Sequence, residues 1–328
     1  MSIINLSASF WGSANIVGKK EAEGPLGNRF DGHSEDDYFG QKTFEEAESR
    51  MQSIVFDAAL EKCGLVKGDI GAIFAGDLLN QCVGSAYGLL DSNVPYFGLY
   101  GACSTSIEGI MLASVFTTHR IYSKCMAVTS SHNGAAERQY RNPLEYGGQR
   151  TPTSQWTVTG AAGFVIGGEG EGRVGIVDGM PGRVVDFGIN DANNMGAAMA
   201  PAVCDTLCRY FSESGTSPSD YDYIMTGDLG YEGSGILREL MSVEGYDLYN
   251  HGDCGKLIFS RDTQDTHAGG SGCGCAAAVL SAYILPEMER GNINDVLFIA
   301  TGAMMSPDSM KQGRNIPAIA HLLHFKTR

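Results

Sequence analysis

Cys103 is the residue best placed to do chemistry, in the stretch Gly101-Ala-Cys-Ser-Thr-Ser106. Residues 96–100 read as a short strand and residues 105–117 as a mostly apolar helix, so the thiol falls at a strand–turn–helix junction. Unpaired N–H groups and a partial positive charge at a helix start stabilise a thiolate and lower its pKa. Ser104 and the other small neighbours leave room for a ligand. A buried structural cysteine would occupy such a place equally well. His267, in Thr266-His-Ala-Gly-Gly-Ser-Gly-Cys-Gly274, lies in a second glycine-rich turn before a helix; opposite Cys103 it would act as base or thiolate partner, and otherwise as a solvated loop residue. Asp228 ends a predicted strand, where α/β sheets place ligands, although a Gly-Asp turn explains an aspartate there without function. His132, Arg138, Arg141 and Arg150 follow another predicted strand. Arginine suits bidentate carboxylate binding, and a solvated loop with ion pairs is the alternative.

These residues are positioned by what reads as a duplicated α/β unit. Residues 67–78, Lys-Gly-Asp-Ile-Gly-Ala-Ile-Phe-Ala-Gly-Asp-Leu, pair without gaps against residues 218–229, Pro-Ser-Asp-Tyr-Asp-Tyr-Ile-Met-Thr-Gly-Asp-Leu. Asp69/Asp220, Ile73/Ile224, Gly76/Gly227, Asp77/Asp228 and Leu78/Leu229 are identical. After each copy the order recurs: the turn 101–106, a helix and the strand 126–130; then the turn 269–274, a helix over 276–287 and the strand 296–301. Strands alternating with helices imply helices layered on mostly parallel sheets. The expected division is residues 1–180, carrying the Cys103 turn, and 181–328, carrying Asp228 and His267. A helix should begin at Thr43, with Glu46 three residues on as a capping box; Thr105 and Glu108 suggest a second. Residues 132–158 read as irregular, and 160–166 with 174–177 as a hairpin.

Composition narrows the function. With 328 residues, 43% of them hydrophobic, the chain buries a large core. A net charge of −15 without a local basic cluster disfavours nucleic acid. Nine scattered cysteines fit a reduced compartment better than a disulfide framework. Cys204 and Cys208 share a helix face and read as small core residues, since zinc would need four suitably spaced ligands; no metal or cofactor is expected. No Walker loop or Gly-x-Ser-x-Gly elbow occurs. No signal peptide or spanning segment is expected.

The Gly-Ala-Cys-Ser-Thr-Ser turn, the duplicated halves and the His267 turn resemble the thiolase and ketoacyl-synthase superfamily. Thr129-Ser-Ser-His132 with Glu137-Arg-Gln-Tyr-Arg141, Gln155-Trp-Thr-Val-Thr-Gly160, Asp253-Cys-Gly-Lys-Leu-Ile258 and Thr301-Gly-Ala-Met-Met-Ser-Pro307 resemble, within it, the stage V sporulation protein AD family. The resemblance implies a thiolase-like fold of layered α-β-α-β-α architecture, typically dimeric. It implies binding of dipicolinic acid (pyridine-2,6-dicarboxylate), free or as a calcium chelate, within the spore inner-membrane machinery that loads and releases it in sporulation and germination. It also implies partnership with channel subunits of that membrane, and thiolase-like roles for Cys103 and His267. Ligand contacts are expected from Cys103, Ser104, His132, Arg138, Thr159, Asp228 and His267. Condensing enzymes carry Asn or His where this chain has Asp228, and degradative thiolases carry a Cys that Thr301-Gly-Ala303 lacks. A carboxylate would oppose an oxyanion, so a binding protein is expected, with a Cys103 acyltransferase as the alternative.

Overall fold

The computed structural model describes residues 3–140, 150–170 and 172–328. Its strands are β1 (Ile4–Val17), β2 (Ala72–Gly76), β3 (Tyr96–Leu99), β4 (Lys124–Ser131), β5 (Trp156–Thr157), β6 (Gly160–Gly168), β7 (Val174–Met180), β8 (Tyr223–Thr226), β9 (His251–Asp253), β10 (Gly270–Ser271), β11 (Asp295–Ala303) and β12 (Ala318–Thr327). Its helices are α1 (Lys19–Ala22), α2 (Phe44–Cys63), α3 (Val83–Gly88), α4 (Thr105–Thr118), α5 (Asn133–Tyr140), α6 (Met195–Ser214), α7 (Gly230–Val243), α8 (Cys254–Leu257), α9 (Cys273–Val279), α10 (Leu285–Glu289) and α11 (Pro307–Lys311). Arg141 lies outside the described residues.

Thr43 starts α2 as its spacing predicts: its hydroxyl accepts from the Glu46 N–H and the Glu46 carboxylate from the Thr43 N–H. Gly64, at φ 65°, ends it. The second capping box does not form. Thr105 is the first helical residue, and its hydroxyl instead bonds back into the Cys103 turn, donating to Ala102 O at 2.7 Å and accepting from Gly101 N at 3.0 Å. Two other expectations are corrected. Residues 133–140, read as irregular, are helical. β6 and β7 are not a hairpin, because β1 lies between them and pairs antiparallel with both.

The main sheet has the order β3-β2-β4-β6-β1-β7-β12-β11-β8-β9. It reads alike from either edge. β3, β2 and β4 are parallel and β6 and β1 antiparallel; β9, β8 and β11 are parallel and β12 and β7 antiparallel. A helix apolar all round must be covered on every side, and α4 and α9 are the two such helices flanking the junction. α4 packs on β1, β2, β4 and β6 and also on β11 and β12, while α9 packs on α4, β4 and β6. Outside them, α2 covers β1, β4 and β6, and α6 covers β11 and β12. This is a five-layered α/β fold in which both inner helices start beside the junction of the halves.

Candidate functional site between the two halves

The Cys103 turn is held from three directions. Ser104 Oγ donates to Gly101 O at 2.6 Å and Thr105 closes the turn from the helix side. Ala102 adopts φ 51°, a left-handed conformation that disfavours a non-glycine residue. From the second half, Gly302 at the end of β11 presses so close that a Cβ there would lie 2.2 Å from Gly101 O. Cys103 is consequently buried, 6% exposed.

The residue facing the thiol is Ser271, with Oγ 4.0 Å from Cys103 Sγ. Ser271 donates to Asp228 Oδ2 at 3.1 Å. Asp228 Oδ2 also accepts the Gly272 N–H at 2.8 Å, and Oδ1 accepts the Thr301 hydroxyl at 2.5 Å. Gly272, at φ 107°, is what lets the chain turn there, since a Cβ would meet Ser131 Oγ at 2.7 Å. Burial raises the Asp228 pKa, and these donors hold it back.

The expected acidification of Cys103 is overturned. Burial, and next the negative charge of Asp228, push its thiol well above the ordinary value of 9.0. The helix-start field acts in the expected sense, but full burial beside a carboxylate outweighs it.

A cavity of about 30 Å³ lies against Cys103. Leu78, Ala102, Ala136 and Met195 supply apolar walls, and Glu137, Thr157 and Ser271 supply polar ones. Tyr100 and Tyr140 also line it, and their hydroxyls meet at 2.5 Å. Tyr140 further donates to Leu78 O at 2.7 Å. The cavity has room for about two waters, whereas small-molecule sites run to about 300–1,000 Å³.

Of the predicted site residues, the structure brings Cys103 and Asp228 together and places the others elsewhere. His267 does not line the cavity. At φ 51° its ring is turned to Asp265 Oδ1, 2.9 Å from Nε2, and to Thr151 O, 2.7 Å from Nδ1. His132 donates from Nε2 to Asp37 O at 2.6 Å, accepts the Ala135 N–H on Nδ1 and stacks on Phe44; burial lowers its pKa. Arg138 pairs with Glu45. Thr159 accepts the Asn133 N–H at 3.0 Å and gives its own N–H to the buried carboxylate of Glu21. Arg150 packs on Trp156 and bonds to Asp265. Ser104 serves the turn itself.

Ser271, Thr301, Glu137, Tyr100 and Tyr140 are the residues that sequence reasoning does not assign. A signal exists for Ser271. Aligning turn 101–106 with turn 269–274 pairs Cys103 with Ser271, and a twofold arrangement sets equivalent positions face to face.

This geometry belongs to a known fold. The chain matches the crystal structure of cerulenin-bound OleA of Xanthomonas campestris with a TM-score of 0.61 at 15% identity, over 97% of each chain. It matches 3-oxoacyl-[acyl-carrier-protein] synthase III from Aquifex aeolicus VF5 with a TM-score of 0.57 at 12% identity, over 96% of this chain and 99% of that one. At such identities the likeness establishes the thiolase-like fold alone. The sequence is 42% identical over 315 residues to stage V sporulation protein AD of Bacillus subtilis (strain 168), covering 96% of this chain and 93% of that relative. The model of the stage V sporulation protein AD (SpoVAD) family matches residues 3–326, and the chain therefore belongs to that family of sporulation proteins.

Proposed function

We propose that the chain is a non-catalytic ligand-binding protein of sporulation and germination that takes dipicolinic acid beside Cys103, between the half that carries the Cys103 turn and the half that carries Asp228. One observation carries the non-catalytic part: Cys103 is buried beside the Asp228 carboxylate, and burial first and that charge second hold its thiol protonated. A cysteine nucleophile must be a thiolate, and the same carboxylate opposes the oxyanion of an acyl-transfer intermediate.

The aromatic and apolar walls suit a flat pyridine ring. No cationic side chain lines the cavity among the described residues, and Glu137 does. In this reading the dianion enters with its charge offset, as the calcium chelate. Entry parts the Tyr100–Tyr140 hydroxyl pair, because the cavity between them and Cys103 has room only for water-sized groups.

No described helix is long and apolar enough to cross a membrane. Attachment to the spore inner membrane then runs through channel subunits. The chain forms a homodimer through β3, a sheet edge whose Tyr96, Phe97 and Tyr100 are exposed.

Calorimetric titration with dipicolinic acid, with and without calcium, tests the reading. Binding that Cys103→Trp, which fills the cavity, abolishes is the expected result. Absence of binding by the native chain, together with a mass increase at Cys103 on incubation with acyl-CoA, would establish the acyltransferase instead.

A further inference from the structure

Cys204 and Cys208 read from sequence as small core residues, and the structure packs both, half-buried, at the edge of the core. Of the nine cysteines, all free, only Cys63, Cys204 and Cys208 are not buried. Cys204 and Cys208 stand one turn apart on α6, with sulfurs 4.0 Å apart. From α7, which packs along α6, the buried thioether of Met241 comes to 3.9 Å from Cys208 Sγ. Three sulfurs thus follow one another across the α6–α7 contact, from Cys204 to Cys208 to Met241, with the two cysteines half-buried.

Their spacing is informative. Sulfurs bound at about 2.3 Å to one central ion at trigonal angles stand about 4.0 Å from one another, the spacing of the Cys204–Cys208 and Cys208–Met241 pairs. Zinc takes four ligands in a closed site. Hard cations take oxygen, and no group of three or more His, Cys, Asp or Glu side chains among the described residues is arranged to hold a metal. Two thiolates and a thioether are a soft donor set that selects a monovalent thiophilic ion.

We propose that Cys204, Cys208 and Met241 form a trigonal all-sulfur site for copper(I) that clips α6 to α7. Binding exchanges two S–H bonds for two Cu–S bonds and releases two protons, and the thioether adds a third bond; copper stays copper(I) and no oxidant is consumed. The clip joins the helix that begins at cavity-lining Met195 to the helix that begins two residues after Asp228.

Anaerobic titration of the reduced full chain with copper(I), against a chromophoric copper(I) chelator, tests this. The native chain should withdraw one equivalent from the chelator, with three sulfurs around copper by X-ray absorption. Cys204→Ser and Cys208→Ser should each weaken binding at least 100-fold. Met241→Leu should weaken it about tenfold and leave two sulfurs, and Cys63→Ser should change nothing. Capping the dithiol of the native chain with a bifunctional trivalent arsenical should abolish the same equivalent without any substitution. Full copper uptake by the arsenical-treated chain or by Cys208→Ser, or two sulfurs around copper in the native chain, would overturn the site.

Discussion

The two halves carry the same Gly-Asp-Leu triplet at the ends of β2 and β8, and put it to different uses. Asp77 is enclosed within its own half. It accepts the Leu79 N–H at 2.9 Å and the Ser85 N–H at 2.7 Å, and so closes a turn. Its other neighbour is a second buried acid, Glu48 of α2. Gly84 lies so tightly against both that a Cβ would come within 3.0 Å of Glu48 Cγ and 3.2 Å of Asp77 Cγ. Asp228 also satisfies its oxygens within its own half, on Ser271, Gly272 and Thr301, yet it stands against Cys103 of the other half. Duplication supplied one scaffold twice. The residue brought opposite each aspartate, an acid in one half and a thiol in the other, decides whether it is a structural brace or part of a site.

The largest expected effect is on stability. Asp228→Ala strands three buried donors, and Asp77→Ala strands two while removing the negative charge that faces Glu48. With each unsatisfied group costing about 1–3 kcal/mol, the loss should be roughly 4 kcal/mol at Asp228 and roughly 2 kcal/mol at Asp77, measured by urea unfolding. Equal losses would mean that the two turns do the same work and that the comparison fails.

Reactivity sharpens the contrast at the thiol. Asp228→Asn removes the charge and keeps an acceptor for Thr301. The Cys103 pKa should fall, and alkylation of Cys103 by iodoacetamide at pH 8 should speed up about tenfold, equivalent to about 1.4 kcal/mol. Asp77→Asn, behind the cavity wall formed by Leu78, should leave that rate unchanged. If Asp228→Asn also leaves it unchanged, burial alone protonates the thiol.

The sequence shows the fold more completely than the site, for a physical reason. The repeat at 67–78 and 218–229, the Thr43 capping box and the apolar α4 are local patterns, and each appears where expected. Pairing β6 and β7 as a hairpin fails because the strand separating them, β1, comes from far earlier in the chain. At the site, Cys103 and Asp228 are legible because each ends a recognisable element. His267 is not, because the direction of a loop side chain follows from its backbone, here a left-handed residue turned to Asp265, and from nothing in its neighbours' identities. Glu137 lies on α5, in a stretch with too few apolar residues to announce a helix. Tyr100 and Tyr140 meet only after residues forty positions apart are folded together.

The smallest effect concerns the brace. Glu48 accepts a hydrogen bond from the Ser130 hydroxyl at 2.9 Å, and its other oxygen has no partner. Asp77 receives two backbone N–H groups, so the negative charge settles on Asp77 and the proton on Glu48. Burial first, and then Asp77, hold the Glu48 pKa well above its ordinary 4.5. A carboxyl whose pKa is raised on folding contributes most below its unfolded value, and that contribution is lost as pH rises through the folded value. Glu48→Gln keeps the shape and removes the titration. At pH 5 the variant and the native chain should have nearly the same stability. By pH 8 the variant should be more stable by roughly 1 kcal/mol, the scale of one relieved buried acid. Melting curves across that range read the difference. A gap that shrinks with rising pH would mean that Glu48 is held ionised, and that the first-half aspartate has a charged partner after all.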